Sequence, residues 1–462
     1  MSSVAAPART NWLPLVASCL GTFLLLIYTT IVTVALPHIG ADLHAGFGAL
    51  QWIVDVFTVA LAGLLLGMGS LSDNLGRKRL YLGGLVLFTI ATLSCGFAGS
   101  ATTLIIARAV QGIAGAAMFA TILPLIGLTY HGADRARAFA VWGTVAGIAG
   151  AVGTVAGGLL AEFLGWRWIF FCSLPLALVA IVLAARTLSE SERSANRIDY
   201  AGITTFTLAT TSLTFAVIHG GEAGWGAPGT LIALGVTAVT VPLFVLVERS
   251  GRHPMVPLTL FGTRRFVGVL VVAFGYYFAT FGAGPIMSLW LQEHIGLSPT
   301  ATSLVLGAQI VVFFMVSALI SGRLHSLPPG RVLGGATVLI GLGCATALLV
   351  WGWASWLALV PALLITGLGA GMVSPVFPAV AIAAVPPSYG GTAGAAANSS
   401  RQFGLALGIA LCGTLYTSQG PGLGNATSGL VLAMSVCAAL ALVSGLACAW
   451  LLRTRRDAAG AR

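Results

Sequence analysis

The chain has 462 residues, of which 58% are apolar and only 7% are Asp, Glu, Lys or Arg, against about 25% charged in an ordinary soluble domain. Its 22 basic and 12 acidic side chains cannot cover a water-soluble protein of this size, which excludes a soluble enzyme and a disordered regulator. The net charge of +10 would suit nucleic acid only if the basic residues gathered on one face of a soluble domain; they sort instead by side of a membrane, and no nucleic-acid partner is expected.

A helix needs about 20 apolar residues to cross the hydrocarbon core. Runs of that kind predict helices near 12–36, 50–72, 80–99, 103–128, 138–163 and 167–187, then 200–218 and 228–247, then 266–291, 300–322, 332–351, 355–384, 395–417 and 428–452, fourteen in all. The first run lacks a basic leader before a short core, so it reads as a retained helix. With both termini cytoplasmic, 19 of the 22 basic residues fall on the inner side, among them Arg9, Arg77, Lys78, Arg79, Arg135, Arg137, Arg264, Arg265, Arg323 and the tail group from Arg453. Only Arg167 falls outside, and Arg108 and Arg401 lie within spans. That asymmetry fixes orientation in a bilayer and favours anionic inner-leaflet lipid.

The segment from Gly69 to Arg79, GSLSDNLGRKR, joins spans two and three, and a degraded counterpart from Ser321 through His325 to Arg331 joins spans ten and eleven. Eight helices separate the two loops. The predicted fold is therefore an all-α polytopic membrane protein with fourteen transmembrane helices: two six-helix bundles with a pseudo-two-fold relation plus an inserted two-helix hairpin. The expected divisions are a tail at 1–11, a six-helix bundle at 12–187, the hairpin with its flanking loops at 188–265, a second six-helix bundle at 266–452 and a basic cytoplasmic tail at 453–462. Repeated halves with a site between them are the architecture of secondary transporters.

The loop has the form GxLxDxxGRK. Gly69 and Gly76 let helix ends approach and turn. Asp73 beside a helix N-terminus is expected to cap amides and to meet an Arg or Lys from a neighbouring helix; with Arg77 and Lys78 in the same loop, such a charge cluster can latch one conformation and release another. On this loop, and on further stretches, the sequence resembles the major facilitator superfamily and its fourteen-span drug:proton antiporter branch. These stretches are TIVTVALP at 30–37, QWIVD at 51–55, RAVQGIAGA at 108–116, GGLL at 157–160 with WRWIF at 166–170, and NSSRQFG at 398–404. The resemblance runs the length of the chain. It implies proton-coupled export of hydrophobic small molecules, drugs or antibiotics, by alternating access across a bacterial inner membrane. It also implies a proton-carrying role for intramembrane acids and a role for the span-four arginine. The chain departs from the family pattern where it has Tyr28 in place of an acid, Thr33 in place of Asn, Gly153-Thr154 in place of Gly-Pro, and Ser173-Leu174-Pro175 in place of Asn-x-Pro. Loss of the acid points to neutral, zwitterionic or singly charged compounds over dications.

An ionised side chain at mid-helix costs about 2.5–3.5 kcal/mol on insertion scales and is functional by default. Asp55 and Arg108 lie about five residues, roughly 7–8 Å at 1.5 Å per residue, below the outer ends of spans two and four, and Tyr28 lies near the same layer. Asp55 is the candidate proton carrier, with Arg108 beside it favouring the ionised form until the two separate or water is closed off. The alternatives are a static buried pair and an Asp55 that merely snorkels to the outer water. The candidate substrate cavity comprises Tyr28, Thr29 and Thr33 of span one, Gln111 of span four, Tyr276, Tyr277 and Phe281 of span nine, Gln309 of span ten, and Asn398 and Gln402 of span thirteen. These are polar and aromatic groups in apolar helices, suited to a hydrophobic ligand, though interhelical hydrogen bonding accounts for any one of them equally well. Arg401 either snorkels to the inner interface or lines the cavity. His38, Asp42 and His44 share an outer loop without metal-ligand spacing and read as solvated. No phosphate loop, nucleophile elbow or metalloprotease motif is present, so no enzyme activity, metal or cofactor is expected. The expected partners are a small hydrophobic substrate, protons and membrane lipid, with the chain acting as a monomer. A transporter of an endogenous lipid or secreted metabolite on the same scaffold stays open, as does a non-transporting receptor or scaffold.

Overall fold

The computed structural model describes residues 11–191, 198–251, 254–324, 326–353, 355–386, 389–419 and 423–453. The expected N-terminal tail, Arg193, Arg197, Arg252, His325 and all of the basic C-terminal tail after Arg453 lie outside the described residues. The rest is helical from end to end: α1 (Leu13–Ile27), α2 (Ile31–Leu43), α3 (Phe47–Leu75), α4 (Arg77–Gly96), α5 (Ala101–Thr129), α6 (Gly132–Phe163), α7 (Trp168–Phe171), α8 (Leu174–Thr187), α9 (Tyr200–Ala223), α10 (Pro228–Ser250), α11 (Arg264–Phe281), α12 (Gly284–Leu289), α13 (Pro299–Leu324), α14 (Pro329–Ala345), α15 (Leu349–Gly352), α16 (Val360–Ala383), α17 (Gly390–Thr417) and α18 (Leu423–Leu451).

Among the described residues, twelve helices are long and apolar enough to span a bilayer, thirteen when the bent pair α1–α2 is one span. The expected fourteen transmembrane helices, two six-helix bundles with an inserted two-helix hairpin, are therefore not supported: the described residues give twelve or thirteen spans. The shortfall lies at α17, a 28-residue helix as long as its neighbours. It carries Asn398, Ser399, Ser400, Arg401 and Gln402 in succession, which leaves it without the sustained apolar stretch that the twelve spans have. It is placed by protein contacts, packing between α3, α9, α11 and α18.

The first span is also not the single rod its apolar run predicts. It bends by 44° between Ile27 and Ile31. Thr29 and Thr30 turn their hydroxyls onto the carbonyls of Leu26 and Ile27, at 2.6 and 3.3 Å, and hydroxyls that bond back to the preceding turn bend helices. Thr30 also donates to the Gly150 carbonyl of α6 at 3.2 Å, which anchors the corner.

Buried apolar residues form two large cores and a small third cluster of Val217, Ile218 and Ala410. One runs from Leu15 to Leu188 and takes in Leu289, Leu405 and Ile409; the other runs from Met255 to Leu452 and takes in Leu66. The exceptions mark where the two halves touch. Close packing depends on small residues, as expected of helices in lipid: a β-carbon at Gly112 of α5 would sit 2.5 Å from the Phe57 carbonyl oxygen of α3. Helices α9 and α10 pair with each other, and α9 lies against both α3 and α17. Thr207 donates to the Gly63 carbonyl at 2.9 Å, and Thr414 donates to that of Val217 at 3.0 Å.

Candidate functional site

A cavity of about 1660 Å³ lies between the two cores. Its upper part is lined by Thr29, Thr30 and Thr33 at the α1–α2 corner, by Tyr276, Tyr277, Thr280 and Phe281 of α11, by Gln309 of α13, and by Asn398, Arg401 and Gln402 of α17. Its lower part is lined by Gly69, Asp73, Arg77, Arg135 and Gly390–Thr392, at helix ends on the face that carries the basic residues. The cavity thus runs from mid-molecule to the basic face.

The opposite end is closed by three contacts between the halves. Gln51 of α3 donates to the Ala410 and Ile409 carbonyls of α17, at 2.7 and 3.2 Å. Gln292 donates to the Val34 carbonyl of α2 at 2.9 Å, and the Thr300 amide donates to Glu162 at 2.9 Å. Helices α6 and α13 meet at Gly158, where a β-carbon would sit 2.6 Å from the Pro299 carbonyl oxygen.

Asp55 sits one turn below Gln51 on α3. It is 0% exposed, and neither carboxyl oxygen has a hydrogen-bond partner among the described residues. The pairings Gln51–Ala410 and Ser399–Ala62 (2.7 Å) show that α3 and α17 run antiparallel with Asp55 between the two contact points. The carboxyl is therefore inside the seam between the halves.

Arg108 does not accompany it. The expected Asp55–Arg108 pair is replaced by a satisfied cation within the first half. Its Nε donates to the Ile53 carbonyl at 3.0 Å, Nη1 to Gln111 Oε1 at 2.7 Å and Nη2 to the Tyr28 carbonyl at 3.4 Å, and its guanidinium lies 4.4 Å from the centre of the Phe57 ring. Gln111 passes the chain on to Thr92 Oγ1 at 2.7 Å. Tyr28 shares a 2.6 Å hydrogen bond with Ser173 Oγ and stacks on Phe170. Tyr28 and Gln111, at 1% and 0% exposed, are thus not among the cavity-lining residues. They face inward into their own bundle, a direction that a polar residue in an apolar helix does not reveal by itself. The other eight expected lining residues do line the cavity.

Arg401, left open between two fates by its sequence, lines the cavity. It donates to Asn398 Oδ1 at 3.1 Å and to the Tyr277 hydroxyl, with its guanidinium 4.1 Å from the centre of the Tyr277 ring and 5.5 Å from that of Phe377. Phe139, Trp142, Met287 and Phe313 also line it and were not singled out, because apolar residues in apolar helices carry no distinguishing signal.

In the loop between α3 and α4, Gly76 has φ +99°, which only glycine adopts readily. Asp73 pairs with Arg77 at 2.9 Å and does not cap α4 as expected. The cap is Glu190, beyond α8, which accepts from the Lys78 and Arg79 amides at 3.0 and 3.2 Å, while Ser191 Oγ accepts from the Arg77 amide at 3.1 Å. Lys78 Nζ donates to the Ala185 carbonyl at 2.9 Å. Gly69, Asp73 and Arg77 border the cavity mouth; Gly76 and Lys78 do not. In the outer loop Asp42 is engaged rather than free, accepting from Arg167 at 2.6 Å and from Trp166 at 3.1 Å. Among the described residues no group of His, Cys, Asp and Glu could hold a metal ion.

Comparison with known proteins agrees with this geometry. The multidrug resistance protein Stp of Mycobacterium tuberculosis is 33% identical over 415 residues, covering 89% of this chain and 76% of the relative. The methylenomycin A resistance protein of Streptomyces coelicolor is 31% identical over 392 residues, covering 84% and 82%. Among solved structures, a peptide transporter POT in complex with sulfate superposes with a TM-score of 0.70 at 15% identity, over 94% of this chain and 93% of that one, a likeness of fold. The Major Facilitator Superfamily profile matches residues 18–263 and 269–462: the chain is a multi-pass membrane protein belonging to the Major Facilitator Superfamily, a family of transporters and not of enzymes.

Proposed function

We propose that the protein exports hydrophobic small molecules, antibiotics among them, from a bacterial cell by proton-driven alternating access, with the basic face and both termini in the cytoplasm. The observation that carries this reading is the cavity, wide enough for a drug-sized molecule, that reaches the basic face while Gln51, Gln292 and Gly158 close the other end. By the positive-inside rule the basic face is cytoplasmic, so this is the state that loads substrate from inside. The names of the relatives, a multidrug resistance and an antibiotic resistance protein, support export of such compounds.

Asp55 supplies the coupling in this reading. Sealed in the α3–α17 seam without donor or cation, an ionised carboxylate there would be uncompensated, whereas a protonated one is tolerated. Rocking the halves apart at their outer ends opens that seam and brings the carboxyl to outside water, where it takes up a proton; closing the seam shields the neutral carboxyl, which does not line the cavity here, and the cycle is completed when α3 and α17 loosen on the cavity side, letting water in and the proton out to the cytoplasm. The partner expected to hold the ionised form, Arg108, is engaged elsewhere, so water access rather than a moving guanidinium sets the protonation state.

The test is drug accumulation and susceptibility in cells with and without the gene, each with and without a protonophore. Lower accumulation that the protonophore abolishes is expected. Equal accumulation in all four conditions across a broad panel overturns export, and lower accumulation unaffected by the protonophore overturns proton coupling.

A further inference from the structure

We infer that the cavity selects amphipathic organic anions: molecules with an aromatic or alicyclic body and one carboxylate, sulfonate or comparable acidic group that seats on Arg401.

The cavity holds an unmatched charge. Among the described residues, the only carboxylate lining the cavity is Asp73, at its mouth and already paired with Arg77 at 2.9 Å. The lining cations are Arg77, Arg135 and Arg401. The chamber therefore carries an excess of positive charge, with Arg401 at its inner end and no acid beside it. No carboxylate among the described residues forms an ion pair with Arg401.

Its partners are all neutral: Asn398 Oδ1, the Tyr277 hydroxyl and the faces of Tyr277 and Phe377. A guanidinium has five N–H donors in a planar fork. The Nε donor of Arg401 is buried and has no acceptor, and an unpaired buried donor is costly. The aromatic faces hold the plane of the fork, and Asn398 and Tyr277 take one N–H each of Nη1 and Nη2, leaving the second N–H of each for the carboxylate geometry that guanidinium groups fit. Tyr276, Phe281 and Phe313 beside it supply an apolar wall for the ligand body. A cationic ligand would instead meet a like charge in a partly desolvated chamber with no acid to receive it.

This inference names the substrate class of the proposed exporter and rests on the reading of the cavity as the substrate chamber. It is testable by binding alone. The full-length protein in nanodiscs of zwitterionic lipid is titrated with three probes that share one body: 9-anthracenecarboxylate, 9-anthracenemethanol and 9-anthracenemethylammonium. Binding is read by energy transfer from tryptophan, with empty nanodiscs subtracted. The carboxylate is expected to bind about tenfold or more tighter than the alcohol, the worth of one charge-assisted hydrogen bond, and the ammonium more weakly than either. Arg401→Gln should bring the carboxylate to the level of the alcohol and leave the alcohol within about twofold, while Arg401→Lys keeps part of the preference. A wild-type protein that binds the carboxylate no better than the alcohol, or prefers the ammonium, overturns the inference without recourse to any variant, as does absence of saturable carboxylate binding. The export reading fails separately: a chain that shows the anion preference yet lowers accumulation of no compound keeps this inference and loses export, and one that expels cationic dyes while ignoring the anion does the reverse.

Discussion

Arg108 and Arg401 are both arginines in the middle of helices, and the structure treats them in opposite ways. Arg108 is 1% exposed, donates to the Ile53 and Tyr28 carbonyls and to Gln111, and rests on Phe57. Arg401 faces a cavity, has neutral neighbours and keeps a buried Nε without an acceptor. The difference teaches that depth in a membrane helix does not separate a structural cation from a functional one. The test is whether the surrounding protein has already used its donors.

The sharpest way to break this contrast is to remove each cation. Arg108→Leu strands three acceptors inside one bundle, each worth about 1–3 kcal/mol when left unmade, so the variant should lose several kcal/mol of stability and most of its folded yield. Fluorescence-detected gel filtration and melting in detergent read this directly. Arg401→Gln, facing open space, should shift stability by no more than about 1 kcal/mol; equal losses in the two variants would abolish the distinction.

Next in size is the loss of coupling expected from Asp55→Asn. The amide keeps the shape of the carboxyl but cannot carry a proton, so pH-gradient-driven transport into everted vesicles should fall to the level of empty vesicles at wild-type expression. Normal coupling in this variant would end the role assigned to the seam. A smaller effect is expected from Gly158→Val. Its β-carbon would sit 2.6 Å from the Pro299 carbonyl oxygen, closer than atoms tolerate, so the outer ends of α6 and α13 should be held apart. Distances between spin labels across the outer face should lengthen, while those within α6 and α5 stay as they are. The mildest is Gln51→Ala, which removes two hydrogen bonds across the closed end and should shift the balance between open states by about 1–2 kcal/mol, visible in the same label distances as a change of population and not of position.

Much of the fold could be read from the apolar runs, because a bilayer demands length and apolarity together and little else in a chain satisfies both. What the runs hide is local. The corner at Thr29 and Thr30 depends on two hydroxyls turning back onto carbonyls one turn earlier, which a hydropathy pattern does not register. Helix α17 is continuous although Asn398 to Gln402 dilute its apolar character; Ser399 and Ser400 donate to the Ala62 and Leu270 carbonyls of the neighbouring α3 and α11. The site was legible in type and only partly in direction. Thr33, Gln309 and Asn398 face the cavity while Tyr28 and Gln111, equally polar and equally deep, face Ser173 and Thr92. That choice is made by which helices pack beside them. The α4 cap is a long-range case: Glu190 lies 112 residues from the Lys78 amide it accepts from, and no spacing within the loop foretells it.

The polarity of α17 has a consequence for biogenesis. A segment with an arginine and four polar residues in succession gains little by entering lipid alone, yet it supplies one wall of the cavity and one side of the seam around Asp55. Its place in a bilayer is therefore expected to depend on the grooves that α3 and α11 offer, so that insertion and packing are coupled at this helix.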